Sequence, residues 1–476
     1  MSTLASLVES PVATRQDVSR LFARAAFGAT AEDLDTWDGR PYAEVVDHLL
    51  DVPAVDGRTP AADEPERVLL ENAAGEDVLI RGLMPGIEQA GQWWLERMRT
   101  TQYPLEERMT LMWHNHFATA ALNPYPDARM MVLQNETLRR NALGNFRSFV
   151  EEMTVDPAML YWLNGVENAQ GAPNENYARE LLELFTLGVI PQIYTEEDIR
   201  EAARALTGWT VSPSAMQPSF QAGRHDTREK TILGVTFGNL GDQEYKKVID
   251  IALAQDPSPK FVAYKLVINF AYVPGTGDLF QDPNPLVDEV AATLRSTNWD
   301  LREGMRTLLM ADEFRYADPA ASEQVVRQPI DLVASLAKQI GVSANQARTP
   351  FISTSAIPDV IALLARMGQV PFDPPNVGGW PVSKEWLSPV TTLARYDWGV
   401  TCYNLWVSQF SPQLLSELPD SGDLDGWTAK FGLAELSGNT KTLVNEYLAA
   451  RQGAGESERR AGVLILLASS PDWMVM

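Results

Sequence analysis

Cysteine is nearly missing from this chain. Cys402 is the only one in 476 residues, so no disulfide can form within the chain and no cysteine cluster can hold a metal. Histidine is almost as scarce: His48, His114, His116 and His225 are the full set. Basic residues are outnumbered, 39 Lys and Arg against 63 Asp and Glu, which leaves a formal net charge of −24. A field of that sign repels phosphate backbones and anionic headgroups, so the sequence predicts neither nucleic acid nor membrane as a partner. It would suit a cationic partner, but it also serves plain solubility. Long apolar runs are missing as well; the longest, such as Val463–Ala468, fall far short of the ~20 residues a membrane span needs. The first thirty residues hold no apolar stretch behind a basic end, and Glu9 interrupts the early run, so no secretory signal is read and a cytoplasmic location is expected. There is no Gly-rich phosphate loop, dinucleotide fingerprint, nucleophile elbow or zincin His-Glu pair. Phosphoryl-transfer and serine-based chemistry therefore have no support.

What is present is helical periodicity over an ordinary apolar fraction of 45%, enough for a sizeable core. The pattern predicts helices at 17–27, ended by Gly28, and from Ala31 with Thr30 as cap. Further helices are read at 87–102, 105–121, 128–142 and 175–187, the last with Asn174 as N-cap and Gly188 beyond its end. Thr195 caps the next, which Gly208 stops. Residues 210–245 lose the period behind Pro213, Pro218, Gly223, Gly234, Gly238 and Gly241, leaving an irregular excursion with one short hairpin around Thr231–Phe237. Helices resume at 244–255, 259–271, 285–296, 300–314, 329–341 and 356–368. A Pro/Gly-rich loop, 371–389, precedes others at 390–408, 440–452 and 457–468. The expected fold is mainly α: a large multihelical orthogonal bundle over 1–476 as a single unit, with a possible subdivision into 15–210 and 258–476. No repeat of fixed length is visible.

Four segments could carry chemistry. Trp113-His114-Asn115-His116-Phe117 holds two of the four histidines, and neutral imidazole is both a common metal ligand and a usual general base. On a regular helix residues two apart point about 200° from each other, so one ion cannot take both; hydrogen-bonded core histidines explain the same residues. In Asn174–Glu183, Asn176, Arg179, Glu180 and Glu183 share one face and Ala178, Leu181, Leu182 and Phe185 the other. That polar stripe is either a solvated surface or the wall of a cleft. In a cleft, Glu180 and Glu183 could bind metal or share acid–base work beside Arg179. Arg224-His225-Asp226 sits in the irregular excursion, where the carboxylate could fix the imidazole tautomer. In Pro371–Pro381, with Trp386 beyond, Trp380 and Trp386 could stack on a ligand or could rigidify a packed loop. His48, in a leucine-rich helix, reads as structural.

These segments, with Leu21–Gly28, Asp156–Leu160, Leu206–Trp209 and Gly368-Gln369, resemble in order the bacterial family called domain of unknown function 1800. The resemblance covers nearly the whole chain and implies one large helical unit without an assigned reaction. Many relatives carry export signals, which this sequence does not show. Some relatives have histidine where this chain has Asp156 and Phe185; Asp156 could ligate a metal, Phe185 could not. The resulting expectation is a metal-dependent enzyme, hydrolytic first and oxidative second, with its site between helices 105–121 and 175–187 under the 210–240 loop. His114 or His116, Asp156, Glu180 and His225 would hold a divalent zinc, iron or manganese ion. Glu175 or Glu183 would act as general base and Arg179 would stabilise negative charge. An organic or haem cofactor on His114 or His116 is a third possibility. The rival is a non-catalytic helical scaffold that binds a partner protein.

Overall fold

The computed structural model describes residues 11–53, 87–122, 125–190, 193–212, 216–274, 280, 284–316, 325–340, 360–403 and 416–476. The expected helical stretches 356–359 and 404–408 lie outside these residues. Within them the chain is mainly α-helical, with two small antiparallel hairpins.

Local signals set many helix starts. Thr14 and Asp17, Thr30 and Asp33, and Thr195 and Asp198 each form a reciprocal capping box at the helices Arg15–Ala25, Ala31–Trp37 and Glu196–Ala205. Asp127, Asn145, Asp156, Asn284, Asp300 and Ser388 cap six more through single side-chain acceptors. The first helix ends at Ala25; Gly28 then turns at φ +88°, and its N–H reaches the Phe22 carbonyl.

The expected 175–187 helix needs a correction. Asn174 does not cap it; its side chain accepts the Asn176 N–H in a local turn. An α-turn over Asn176–Glu180 runs directly into a π-helix at Leu181–Thr186, where Thr186 Oγ1 donates to the Leu181 carbonyl. The wider turn rotates Glu183 and Phe185 away from the positions a regular wheel assigns them.

The excursion after Gly208 forms two hairpins. Trp209–Ser212 pairs with Gln217–Phe220, which periodicity did not reveal. Lys230–Ile232 pairs with Val235–Phe237, where a hairpin was expected. Leu233 and Gly234 both have positive φ, as the two-residue turn between right-twisted strands requires.

Apolar side chains collect in two cores. One gathers the helices between Arg15 and Leu50, then Phe146–Thr154, Glu196–Ala205 and the run from Glu244–Leu253 to Leu301–Met310. The other gathers Ile87–Thr100, Pro329–Ile340, Val360–Met367, Pro389–Cys402 and Glu456–Ala468. Pro104–His116 lies on the seam, giving Met109, Met112 and Trp113 to the first core and Leu111 to the second. Among the described residues no helix is long and apolar enough to cross a membrane.

Candidate functional site

Pro104–His116 is buried on every side, polar residues included. Glu107 is fully buried yet stays ionised, because Arg97 and Arg139 bind its carboxylate and Trp94 Nε1 donates to it at 3.1 Å. Desolvation works against that charge; the two guanidiniums outweigh it and hold the pKa down at about 2.

At its C-terminal end this helix grips the distant Pro/Gly-rich loop. Asn115 Oδ1 accepts the Trp380 N–H at 2.6 Å, and Asn115 Nδ2 donates to the Trp380 carbonyl at 3.3 Å. Gly379, at φ +82°, lies so close that a Cβ there would fall 2.5 Å from the Asn115 carbonyl oxygen. One residue back, His114 Nε2 accepts the Phe372 N–H at 3.2 Å, which puts the ring proton on Nδ1. His116 does the opposite: Nε2–H donates to the Phe185 carbonyl at 3.1 Å, leaving a lone pair on Nδ1. Both rings are packed among aromatics, His114 by Trp94, Phe372 and Trp380, and His116 by Trp113, Phe117, Phe146 and Phe185. Burial drives both pKa values down to about 3, with the Lys265 charge adding to the effect at His116. They are neutral rings at neutral pH, and too weakly basic to take a proton there.

The grip leaves a cavity of about 170 Å³ between the end of this helix, the helix Pro257–Phe270 and loop residues 378–385. Asn115, His116, Lys265, Asn269, Trp380 and Glu385 give it polar and aromatic walls. A smaller cavity of about 20 Å³ shares Asn115, Ile268, Asn269, Pro381 and Val382 with it and reaches Arg108 and Gln328. Lys265 is the unusual wall. Among the described residues its ammonium makes no ion pair; its nearest recorded company is the Phe261 ring, 5.2 Å to the centroid. Desolvation lowers its pKa below the usual lysine range.

The other expected site residues stand apart from this cavity. Asp156 is a buried N-cap: it accepts the Met159 N–H at 3.0 Å and a Gln134 amide hydrogen at 2.7 Å, and burial raises its pKa to about 6. His225 Nδ1 donates to the Thr207 carbonyl at 2.9 Å, and its Nε2 lies 3.1 Å from Glu244 Oε1. The buried Lys230 ammonium, 2.6 Å from Glu244 Oε2, stands where a metal ion beside that carboxylate would go. Asp226 is held ionised well below the usual range by Arg228 and Arg204. Arg179 lies in a partly exposed network with Glu196 at 2.6 Å, Glu183 at 3.4 Å and Glu175 at 3.8 Å. Glu180, on the same short helix, has its pKa raised by partial burial and by Glu183.

The structure therefore joins two of the four segments, Trp113–Phe117 and Pro371–Trp386. The other two carry separate ion-pair networks. Among the described residues no three His, Cys, Asp or Glu side chains gather to hold a metal ion. His114 and His116 each spend one ring nitrogen on a main-chain group, and Asp156 spends its carboxylate on a cap. Four residues of the cleft and its adjoining cavity escaped the sequence reading: Lys265, Asn269, Glu385 and Arg108. The available signal was Lys265, a lone cation in the apolar run Phe261–Phe270.

The family described as a protein of unknown function (DUF1800) matches residues 20–475. No curated protein and no solved structure matches the chain.

Proposed function

The chain belongs to the DUF1800 family, whose description assigns no reaction, and from the geometry of its own residues we propose that it binds a small anionic molecule in the cleft between Asn115, Lys265 and Trp380. The observation that carries this reading is Lys265: a cation that makes no ion pair among the described residues, although Glu385 lines the same cavity. A desolvated ammonium attracts an anion far more strongly than one in water does. Asn269 supplies an amide that can orient an oxygen, and Trp380 an apolar face. Neutral His116 costs such a ligand nothing in repulsion, and its Nδ1 can accept a proton from it in a hydrogen bond.

Any catalysis in this cleft would run through the Lys265 amine. Burial lowers its pKa below the usual lysine range, so its ammonium gives up a proton more readily than that of a surface lysine. Metal-dependent hydrolysis or oxidation is not favoured in this cleft, since the Lys265 charge beside His116 would oppose a bound cation. Stoichiometric zinc, iron or manganese in untagged protein, lost on replacing both His114 and His116 by alanine, would reinstate it.

Thermal unfolding against a panel of small carboxylates and phosphates at constant ionic strength tests the proposal. At least one should raise Tm in a saturable way, and Lys265→Met should weaken that ligand about tenfold or more. If no anion stabilises the protein, or Lys265→Met responds as the parent does, the reading fails and a scaffold for a partner protein takes its place.

A further inference from the structure

Arg395 stands in the middle of the helix Pro389–Cys402 with 0% exposure, and among the described residues none of its three guanidinium nitrogens has a hydrogen-bond partner. Arginine cannot escape such a place by losing its proton at physiological pH, so its charge must be met by something.

The surrounding interior does not meet it. Asp331, fully buried, is the carboxylate whose charge reaches Arg395. It is already engaged: Arg108 lies 2.9 Å from Oδ2, Arg327 lies 3.4 Å from Oδ1, and Ser335 Oγ donates to Oδ1 at 2.7 Å. Two buried guanidiniums thus already hold that carboxylate, and only its longer-range field reaches Arg395. Arg108 and Arg327 have further support. Arg108 Nε donates to the Arg24 carbonyl at 3.0 Å; Arg327 Nε donates to the Trp473 carbonyl at 2.8 Å, with its guanidinium 4.3 Å from the Trp473 ring centroid. Nearby Lys338 gives its hydrogens to the carbonyls of Ala26 and Gly28. Arg395 has nothing comparable, in a protein whose overall charge is strongly negative.

We propose that the interior beside Arg395 holds a small inorganic anion, of the size and charge of chloride, which completes the arginine cluster around Asp331. A monatomic anion fits the setting better than a metabolite, because Arg395 is closed to solvent. The site is separate from the Lys265 cleft, which takes its ligand against a different cation.

Thermal unfolding at constant ionic strength, with chloride exchanged stepwise for gluconate, reads the site directly. The parent protein should gain Tm with chloride and then saturate, by on the order of a few degrees. Arg395→Met should be flat across the series, while Lys265→Met should keep the chloride response and lose only the response to the cleft ligand. A parent protein indifferent to the exchange, or an Arg395→Met protein that gains as much, overturns the proposal. Should Arg395→Met fail to fold, chloride-35 NMR of the parent decides: saturable line broadening displaced by bromide supports the site, and its absence rejects it.

Discussion

Trp113–Phe117 and Asn174–Glu183 are alike on paper, each a short helical stretch dense in polar groups beside aromatic ones, yet the fold treats them oppositely. The first is buried, and each histidine spends its Nε2, and Asn115 its amide, on main-chain groups of Phe185, Phe372 and Trp380. The second faces solvent in part and spends its charges on one another, around Arg179. What separates them is the kind of polar group. Imidazole and amide can be buried at modest cost once hydrogen bonds are made, whereas three carboxylates around one guanidinium cannot give up water. Shape and binding are therefore expected to depend on the first segment, and mainly surface electrostatics on the second.

The sharpest way to break that contrast is to pry the loop from the helix. In Gly379→Ala the new methyl meets the Asn115 carbonyl, and the backbone must also hold alanine at φ +82°. A loss on the order of 4 kcal/mol in chemical-denaturant unfolding is expected, since clash and left-handed strain act together. A loss below 1 kcal/mol would mean that the loop is not clamped, and the cleft with it would be ill defined.

Next in size is the acid limb of stability. His114 and His116 stay neutral in the fold down to about pH 3, while the unfolded chain takes up their protons near pH 6.5. Below pH 6.5 the unfolded state therefore binds more protons, so stability falls as pH drops from 6.5 toward 3. Each ring should contribute up to about 3 kcal/mol of that loss by pH 4. Replacing both by glutamine, which can accept from Phe372 and donate to Phe185, should make the limb visibly shallower. An unchanged slope would show that the rings are protonated in the fold, and so far more accessible than their aromatic surroundings imply.

Features written in neighbouring residues were legible from the sequence, and features that depend on distant partners were not. The caps at Thr30 and Thr195 and the hairpin at Leu233-Gly234 need only a few consecutive residues to form. The π-helix at Leu181–Thr186 leaves no mark that distinguishes it from an ordinary apolar stripe. Glu107 looks like a solvent-facing charge until Arg97 and Arg139 are brought to it by the fold. Of the cleft, the histidine pair and Trp380 stood out because such residues are rare or large, and Asn115 lay between the two histidines without being weighed. Lys265 belonged to no motif; only its placement in an apolar wall makes it notable, and that placement is a property of the tertiary structure.

The smallest effect belongs to the exposed segment. Arg179→Ala removes an ion pair to Glu196 whose carboxylate is mostly in water, and weaker contacts to Glu175 and Glu183. Solvent screens such pairs, and ordering long side chains offsets much of the attraction, so a loss of about 0.2–1 kcal/mol is expected at low salt. At about 1 M salt, where the screening length falls to roughly 3 Å, most of it should vanish. The carboxylates left behind repel one another, and the already raised pKa of Glu180 should rise further in an NMR titration, because Arg179 is the charge that now restrains it. A loss above 2 kcal/mol that survives high salt would place this face against a low-dielectric wall. Glu175, Arg179, Glu180 and Glu183 would then regain the catalytic and metal-binding roles that their spacing first suggested.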